Sequence, residues 1–226
     1  MSTQQVILAA RHVHKGFVMG GQKIEVLKGL DLQLLAGETL AILGPSGSGK
    51  STLLGLLAGL ETPDSGEIAL RGEVLSELDQ AALTRYRARY LGIVFQQFHL
   101  MRHLSALENV MLPLEIAGQS GRTVRQRAVE LLEQVRLGHR LDHYPHQLSG
   151  GECQRVAIAR ALSPEPELIL ADEPSGNLDQ ETGEQVMGAL FEMVRAQGRS
   201  LILVTHNPEQ AMRCDRQLHL QHGQLV

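Results

Sequence analysis

The sequence has few cysteines, little net charge and no long apolar run, and each of these absences excludes a class of protein. The 226 residues include two cysteines, Cys153 and Cys214. Two are too few for a disulfide framework, and we expect both to stay reduced in a cytosol. The formal net charge of −4 argues against generic electrostatic binding of nucleic acid. The longest apolar run, residues 53–60, is broken by Gly55 and Gly59 and is far from the ~20 residues of a membrane helix. With no signal-peptide pattern at the N-terminus, the chain is expected to be intracellular.

Strand and helix patterns alternate along the chain and predict an α/β fold with a mostly parallel sheet. Continuous apolar runs at 40–43, 168–171 and 201–204 are typical of strands that are buried on both faces. Polar and amphipathic helical patterns in the middle of the chain predict a helical subdomain over approximately residues 98–150. We therefore expect one domain, residues 1–226, with that subdomain inserted in its core.

The stretch GPSGSGKST, residues 44–52, matches the P-loop pattern at a point where a strand runs into a helix. Its backbone N–H groups can cradle phosphates, Lys50 can reach the β- and γ-phosphates, and the Ser51 hydroxyl can hold Mg²⁺. The alternative is a simple Gly/Ser turn before a helix, which the Lys-Ser pair and the strand-helix context disfavour. The predicted nucleotide ligands in this loop are Gly44, Pro45, Ser46, Gly47, Ser48, Gly49, Lys50, Ser51 and Thr52.

Polar residues at three other strand ends complete the chemistry that a P-loop enzyme needs. Asp172 and Glu173 follow the strand at 168–171; we assign Asp172 to Mg²⁺, through water, and Glu173 to orienting or deprotonating the attacking water. Gln96 could touch both Mg²⁺ and that water, and His206 could donate a hydrogen bond to a γ-phosphate. The alternatives are a helix N-cap pair at Asp172 and Glu173 and a structural role for His206.

Taken together, these motifs resemble the nucleotide-binding domain of ATP-binding cassette (ABC) transporters. The stretches GPSGSGKST, VFQQ, LSGGE, LILADEPSGNLD and LVTH occur in that family's order and cover nearly the whole chain. The resemblance implies a P-loop NTPase fold with a RecA-like core, an antiparallel β subdomain and an inserted α-helical subdomain. It also implies an ATPase that uses ATP and Mg²⁺.

The resemblance gives a role to LSGGE, a second loop that suits anions. In this family two chains pack head to tail, and the signature loop of one chain covers the γ-phosphate that Lys50 of the other binds. A homodimer with two shared sites is therefore expected. Phe17 falls where the family places an aromatic that stacks on adenine, with core packing as the alternative. The further nucleotide-binding residues implied by the resemblance are Phe17, Ser149, Gly150, Gly151 and, in the D-loop, Asp179.

Within the family the chain is similar to the LolD/MacB/FtsE group, and most like its YbbA branch. That group works with permeases of the FtsX/MacB type, so the resemblance implies a protein on the cytoplasmic face of a bacterial inner membrane, attached through such a permease. The helical subdomain and the Gln96 strand end are the expected docking surface. Three departures from the group's pattern are Cys153, Ser175 and Asn207. The rival functions are an FtsE-like regulatory ATPase of a cell-envelope complex and a soluble ABC protein of repair or translation.

Overall fold

The computed structural model describes residues 5–226, apart from the side chains of Met19 and Lys23. Two compact units are present, the first comprising residues 5–87 and 200–226 and the second residues 88–199. In chain order the elements are β1 (Val6–Met19), β2 (Gln22–Leu35), β3 (Thr39–Leu43), α1 (Lys50–Leu57), β4 (Ser65–Leu70), β5 (Glu73–Val74), α2 (Gln80–Tyr90), β6 (Leu91–Val94), α3 (Ala106–Ile116), α4 (Arg122–Gln134), α5 (Gly150–Leu162), β7 (Leu168–Asp172), α6 (Gln180–Ala196), β8 (Ser200–Thr205), α7 (Pro208–Ala211), β9 (Arg216–Gln221) and β10 (Gln224–Leu225).

The first unit contains an antiparallel sheet in the order β2-β1-β4-β5. In β2 the leucines at 30, 32 and 34 are buried while Asp31 and Gln33 are exposed, because successive side chains of a strand point to opposite faces. The antiparallel pairing of β4 with β5 forms a short hairpin.

The first unit also carries parallel strands. β3 pairs in parallel with β8 and with β9, and Leu43 at its end is level with Thr205 of β8 and His219 of β9. All five residues of β3 are buried, as the continuous apolar run predicts. Since parallel strands end at the same edge, the loop that follows β3 and the residue that follows β8 lie on one side of this sheet.

The second unit pairs β6 with β7, also in parallel, with Val94 level with Ala171. The same argument places the residues after β6 and those after β7 at one edge. Gly92 allows close packing here, because a Cβ at this position would lie 2.4 Å from the carbonyl oxygen of Ala161 on α5. The prediction of a mostly parallel sheet is confirmed in both units.

Helices α3 and α4 lie inside the range predicted for a helical subdomain, 98–150, which falls within the second unit; the bounds of that subdomain stay a prediction. The amphipathic pattern of α4 is confirmed, since its apolar face is buried. Pro113 lies inside α3, yet the helix runs on to Ile116. Burial of Val110 and Leu114 offsets the backbone hydrogen bond that a proline cannot donate. Among residues 5–226, no helix is both long and apolar enough to cross a membrane.

Candidate nucleotide-binding site

The loop between β3 and α1 is held in shape by Lys50 and by two close backbone approaches. Lys50 is only 7% exposed, and its Nζ donates to the carbonyl oxygens of Gly44 at 2.8 Å and Pro45 at 3.0 Å. A Cβ on Gly44 would lie 2.7 Å from the carbonyl oxygen of Leu220. Gly49 has φ 100°, and a Cβ there would lie 2.7 Å from Cγ1 of Val26. The pattern's glycines are therefore needed for the loop's own geometry.

The chemistry of this loop fits a phosphate chain. The N-cap of α1 is Gly49, and no side chain caps the helix, so the first amides of α1 have no side-chain acceptor. The Ser48 hydroxyl oxygen is buried with no hydrogen-bond partner in the described structure. A helix N-terminus, a buried ammonium and an unsatisfied hydroxyl together suit a polyanion. Ser51, in the first turn of α1, is exposed, so its hydroxyl is accessible to a cation.

Open space lies directly beside the loop. A cleft of about 470 Å³ is lined by Ser46, Gly47 and Ser48 on one side and by strand and turn residues of the same unit, including Val26 and His222, on the other. A Cβ on Gly47 would meet nothing within 4 Å, which agrees with a loop surface that faces this cleft. The first unit thus has both an anion-binding loop and room next to it.

Phe17 and His206 are the other predicted site residues of the first unit. Phe17 is 38% exposed, so it is not a core residue, and the Lys15 ammonium lies 5.4 Å from its ring centroid. His206 directly follows β8 and is exposed. Its neighbour Asn207 caps α7, where its Oδ1 accepts the N–H of Glu209 at 2.8 Å. The asparagine that departs from the group's pattern therefore has a local structural role.

In the second unit, β7 ends at Asp172, and the chain turns sharply at the next residue. Glu173 has φ 45°, a left-handed conformation that is uncommon for a residue with a side chain and that is found at functional sites. Because Glu173 lacks strand geometry, the alternation of strand side chains does not set the directions of the two carboxylates. The N-cap alternative is wrong, since the residue that caps α6 is Asp179.

Asp179 was predicted to bind nucleotide, and in this structure its carboxylate is engaged within the chain. Its Oδ1 accepts the N–H of Thr182 at 3.0 Å, and this hydrogen bond is the main reason that the pKa of Asp179 lies below its usual value. The role in nucleotide binding stays a prediction.

Gln96 follows β6, at the edge predicted for it, and binds the D-loop. Its Nε2 donates to Oδ1 of Asn177 at 3.2 Å, and Nδ2 of Asn177 donates back to the Gln96 carbonyl at 3.1 Å. A Cβ on Gly176 would lie 2.8 Å from Gln96 Nε2, so glycine permits this approach. The residue expected at the metal and the D-loop are thus joined by a reciprocal hydrogen-bonded pair.

The signature loop opens α5 with a complete capping box. Ser149 Oγ accepts the N–H of Glu152 at 3.2 Å, and Glu152 Oε2 accepts the N–H of Ser149 at 2.8 Å. The second bond is the largest cause of the lowered pKa of Glu152. The cap does not use the amides of Gly150 and Gly151, and Ser149 itself is exposed. The loop can therefore present a hydroxyl and two backbone donors to an anion.

Packing within this chain is tight at both glycines of the signature, and tightest at Gly151. A Cβ on Gly151 would lie 2.2 Å from Cγ2 of Thr182, and a Cβ on Gly150 would lie 3.1 Å from Cδ2 of Leu178. Cys153, which follows Glu152, is buried. Burial raises the pKa of its thiol, which makes it a packing residue and a poor nucleophile.

Two residues of α5 that no sequence pattern revealed hold the loop after β6. Gln154 is fully buried, and its Nε2 donates to the Phe95 carbonyl at 3.1 Å. The Arg160 guanidinium donates to the carbonyls of Phe98 at 3.0 Å and His99 at 2.6 Å, while burial lowers its pKa. Their sequence spacing from the loop, about sixty residues, carries no local signal that could have revealed these contacts.

Comparison with known proteins decides the family. The family profile described as "ABC transporter" matches residues 27–176. The chain belongs to the ABC transporter family. The cassette is 49% identical over 219 residues to the ABC transporter ATP-binding protein YbbA of Escherichia coli (strain K12), covering 97% of this chain and 96% of YbbA. It is 48% identical over 220 residues to the lipoprotein-releasing system ATP-binding protein LolD of Hahella chejuensis (strain KCTC 2396), covering 97% of this chain and 95% of that one.

Solved structures agree with these relatives. The cassette superimposes on the ATP-binding cassette MJ0796, described as a dimer in a post-hydrolysis state bound to ADP and Pi, with a TM-score of 0.89, 41% identity and 96% of both chains covered. The predicted fold class and the predicted LolD/YbbA group are confirmed. The cassette is an ATP-binding and ATP-hydrolysing subunit of an ABC transporter that uses Mg²⁺, dimerises and pairs with a transmembrane permease.

Proposed function

We propose that this cassette energises an inner-membrane permease of the FtsX/MacB type, to which it is attached on the cytoplasmic face. The observation that carries the proposal is a sequence identity of 48%, over nearly the whole chain, with ATP-binding proteins of lipoprotein-releasing systems. ATP closes a head-to-tail pair of cassettes, hydrolysis reopens it, and the motion is passed to the permease. The fold alone would not support this type of permease, since one fold serves many functions. The high sequence identity over nearly the whole chain does support it.

The proposed chemistry divides among the site residues as follows. The P-loop amides and Lys50 bind the phosphate chain. Bound Mg²⁺ would neutralise charge on the β- and γ-phosphates, and the oxygens of Ser51, Gln96 and Asp172 are the hard donors that suit it. Glu173 accepts the proton of the attacking water, and its strained backbone fixes where that carboxylate points.

The remaining residues contact the γ-phosphate and the adenine ring. His206 donates a hydrogen bond to the γ-phosphate, and Phe17 stacks on adenine with its exposed ring. The signature loop acts on the nucleotide of the partner chain, with Ser149, Gly150 and Gly151 as donors, and Asp179 of the D-loop also binds nucleotide. Each dimer then has two sites, as two-fold symmetry requires.

Mixed dimers test the shared site. Combine a Lys50→Ala chain with a Ser149→Arg chain, each inactive alone, and isolate the mixed dimer by two different affinity tags. If sites are shared, one site contains both defects and the other contains neither, so labelled nucleotide is retained at about one site per mixed dimer. If each chain uses its own signature loop, every site contains one defect, and no retention by purified mixed dimers would overturn the proposal.

The docking surface for the permease is proposed to be a cleft of the second unit. Its volume is about 710 Å³, and apolar side chains including Phe98 and Leu100 line it together with Arg102. Such a mixed cleft suits an amphipathic helix of the permease. We expect Leu100→Arg to abolish co-purification with the permease from detergent-solubilised membranes while ATP binding persists. The matched control is Ile116→Arg, at a 73% exposed position outside the cleft; equal loss in both variants, or loss in neither, would contradict this surface.

A further inference from the structure

The carboxylate that caps the signature loop is held from outside the loop. Glu152 Oε1 lies 3.3 Å from Nε of Arg140, while its Oε2 accepts the Ser149 N–H. The contact with Arg140 falls short of hydrogen-bond geometry, so the two groups attract mainly through charge. The Glu152 side chain is only 17% exposed and that of Arg140 37%, which leaves this attraction less screened than a fully exposed pair.

Arg140 is itself fixed by its neighbours. Its Nη1 lies 2.9 Å from Nε2 of His143. Because a guanidinium always carries its protons, Nε2 must be the accepting nitrogen of the imidazole. The segment is also anchored through its backbone, since the carbonyls of Leu141 and His143 accept the N–H groups of Leu107 and Ala106, in the first turn of α3. The guanidinium therefore reaches Glu152 from a rigid base.

A second cation competes for the same carboxylate. Arg155, one turn further along α5, also attracts Glu152, though less strongly than Arg140 does. Arg140 lies beside Oε1 of Glu152, the oxygen that does not accept the Ser149 N–H, so its attraction does not compete with the capping box.

We propose that Arg140 is a positioning residue of the shared ATP site, which keeps Glu152 on the Ser149 amide and so fixes the direction in which the signature hydroxyl is presented to the partner chain. The inference rests on the proposed head-to-tail site. Its effect must then fall on the nucleotide bound by the other chain, a property that a residue needed only for folding would not have.

The first measurement is nucleotide retention by the Arg140→Gln homodimer. We expect the ATP concentration for half-maximal retention to rise about 2- to 30-fold, the equilibrium factor for losing an N-cap, and the unfolding temperature of the monomer to fall by less than ~10 °C, so that the variant stays folded. The matched control is Arg127→Gln, which removes another arginine of the second unit from a carboxylate, Glu165, at 3.4 Å. An affinity equal to wild type in Arg140→Gln, or an equal loss in Arg127→Gln, would overturn the proposal.

The second measurement separates positioning from folding. In a mixed dimer of Arg140→Gln with Lys50→Ala, the only site with an intact P-loop uses the signature loop of the Lys50→Ala chain, in which Arg140 is present. We expect wild-type affinity at that one site. An affinity as weak as in the Arg140→Gln homodimer would place the effect within the chain that carries the substitution and overturn the inference.

The Lys50→Ala and Ser149→Arg mixture provides the reference for this result. If the Lys50→Ala and Ser149→Arg mixture regains nucleotide retention but the Lys50→Ala and Arg140→Gln mixture does not regain wild-type affinity, only the role of Arg140 is overturned. Failure of recovery in both mixtures overturns the shared site and the role of Arg140 together.

Discussion

Asn109 anchors the loop that precedes α3, and replacing it should detach that loop from the helix. The side chain is fully buried. Its Oδ1 accepts the N–H of Met101 at 2.8 Å, and its Nδ2 lies within 3.1 Å of the carbonyl oxygens of Met101, Leu104 and Ser105. An amide has two hydrogens for these three oxygens, so one is shared, and the side chain makes about three full hydrogen bonds.

The cost of Asn109→Ala follows from that count. At about 1 kcal/mol net for each hydrogen bond, the free energy of unfolding should fall by about 3 kcal/mol. The free energy of unfolding should be lower still in Asn109→Asp. The carboxylate keeps the acceptor but places a negative charge against three carbonyl oxygens in a buried site. The order of stability is therefore wild type, then Ala, then Asp.

Urea denaturation followed by far-ultraviolet circular dichroism measures this order; tryptophan fluorescence has no reporter, since the sequence contains none. Gln126→Ala is the control, because that amide makes its hydrogen bond to Glu130 on the exposed face of α4 and should change stability by less than ~0.5 kcal/mol. An Asp variant as stable as wild type would refute the hydrogen-bond account. Because Arg102, within this loop, lines the proposed docking cleft, we also expect Asn109→Ala to weaken permease co-purification while ATP binding persists.

Three further predictions concern the catalytic residues and the helix caps. Lys50→Ala should abolish tight Mg-ATP binding and hydrolysis with the fold retained, as nucleotide binding and circular dichroism would test, and near-normal hydrolysis would contradict the assignment of the P-loop. Glu173→Gln should bind ATP yet turn over roughly 10²–10⁴-fold more slowly and form an ATP-dependent dimer in gel filtration; a monomer with normal turnover would exclude Glu173 as the base. Glu108 has a pKa below its usual 4.5, chiefly because it accepts the N–H of Ser105, so its stabilisation is complete above that pH and is lost as the pH falls through the folded pKa. The urea midpoint of unfolding, measured on either side of pH 4.5, should therefore change less with pH in Glu108→Gln than in the wild type. An equal change in both proteins would contradict this.

Patterns that depend on neighbouring residues predicted the fold well. The start of α3 follows from the capping pair Ser105 and Glu108, which is a local feature. The strand at 40–43 and the loop after it were predictable for the same reason. Pro113 shows the limit of local rules, since tertiary burial of α3 outweighed a strong helix breaker.

The candidate site was predictable only in part, because its contacts join distant parts of the chain. Gln96 was found from its place at a strand end, but its partner Asn177 lies 81 residues away, and no spacing rule connects them. The left-handed turn at Glu173 is likewise invisible in a sequence, since glutamate has no preference for it. The roles of Gln154 and Arg160 depend on which loop α5 packs against, which is a property of the fold.

The two loops of this chain that are predicted to bind anions differ in a way that suits different tasks. At α1 the N-cap is Gly49 and no side chain caps the helix, so the first amides of the helix have no side-chain acceptor and suit a phosphate chain. At α5 the N-cap is Ser149, and the carboxylate of Glu152 already accepts the N–H of this residue. A negative charge at that position weakens the attraction of the helix dipole for a second anion, so the signature loop alone should bind phosphate poorly. Such a loop suits a contact that forms only when another chain brings a nucleotide already bound, because weak binding by itself lets the pair separate once the γ-phosphate is gone.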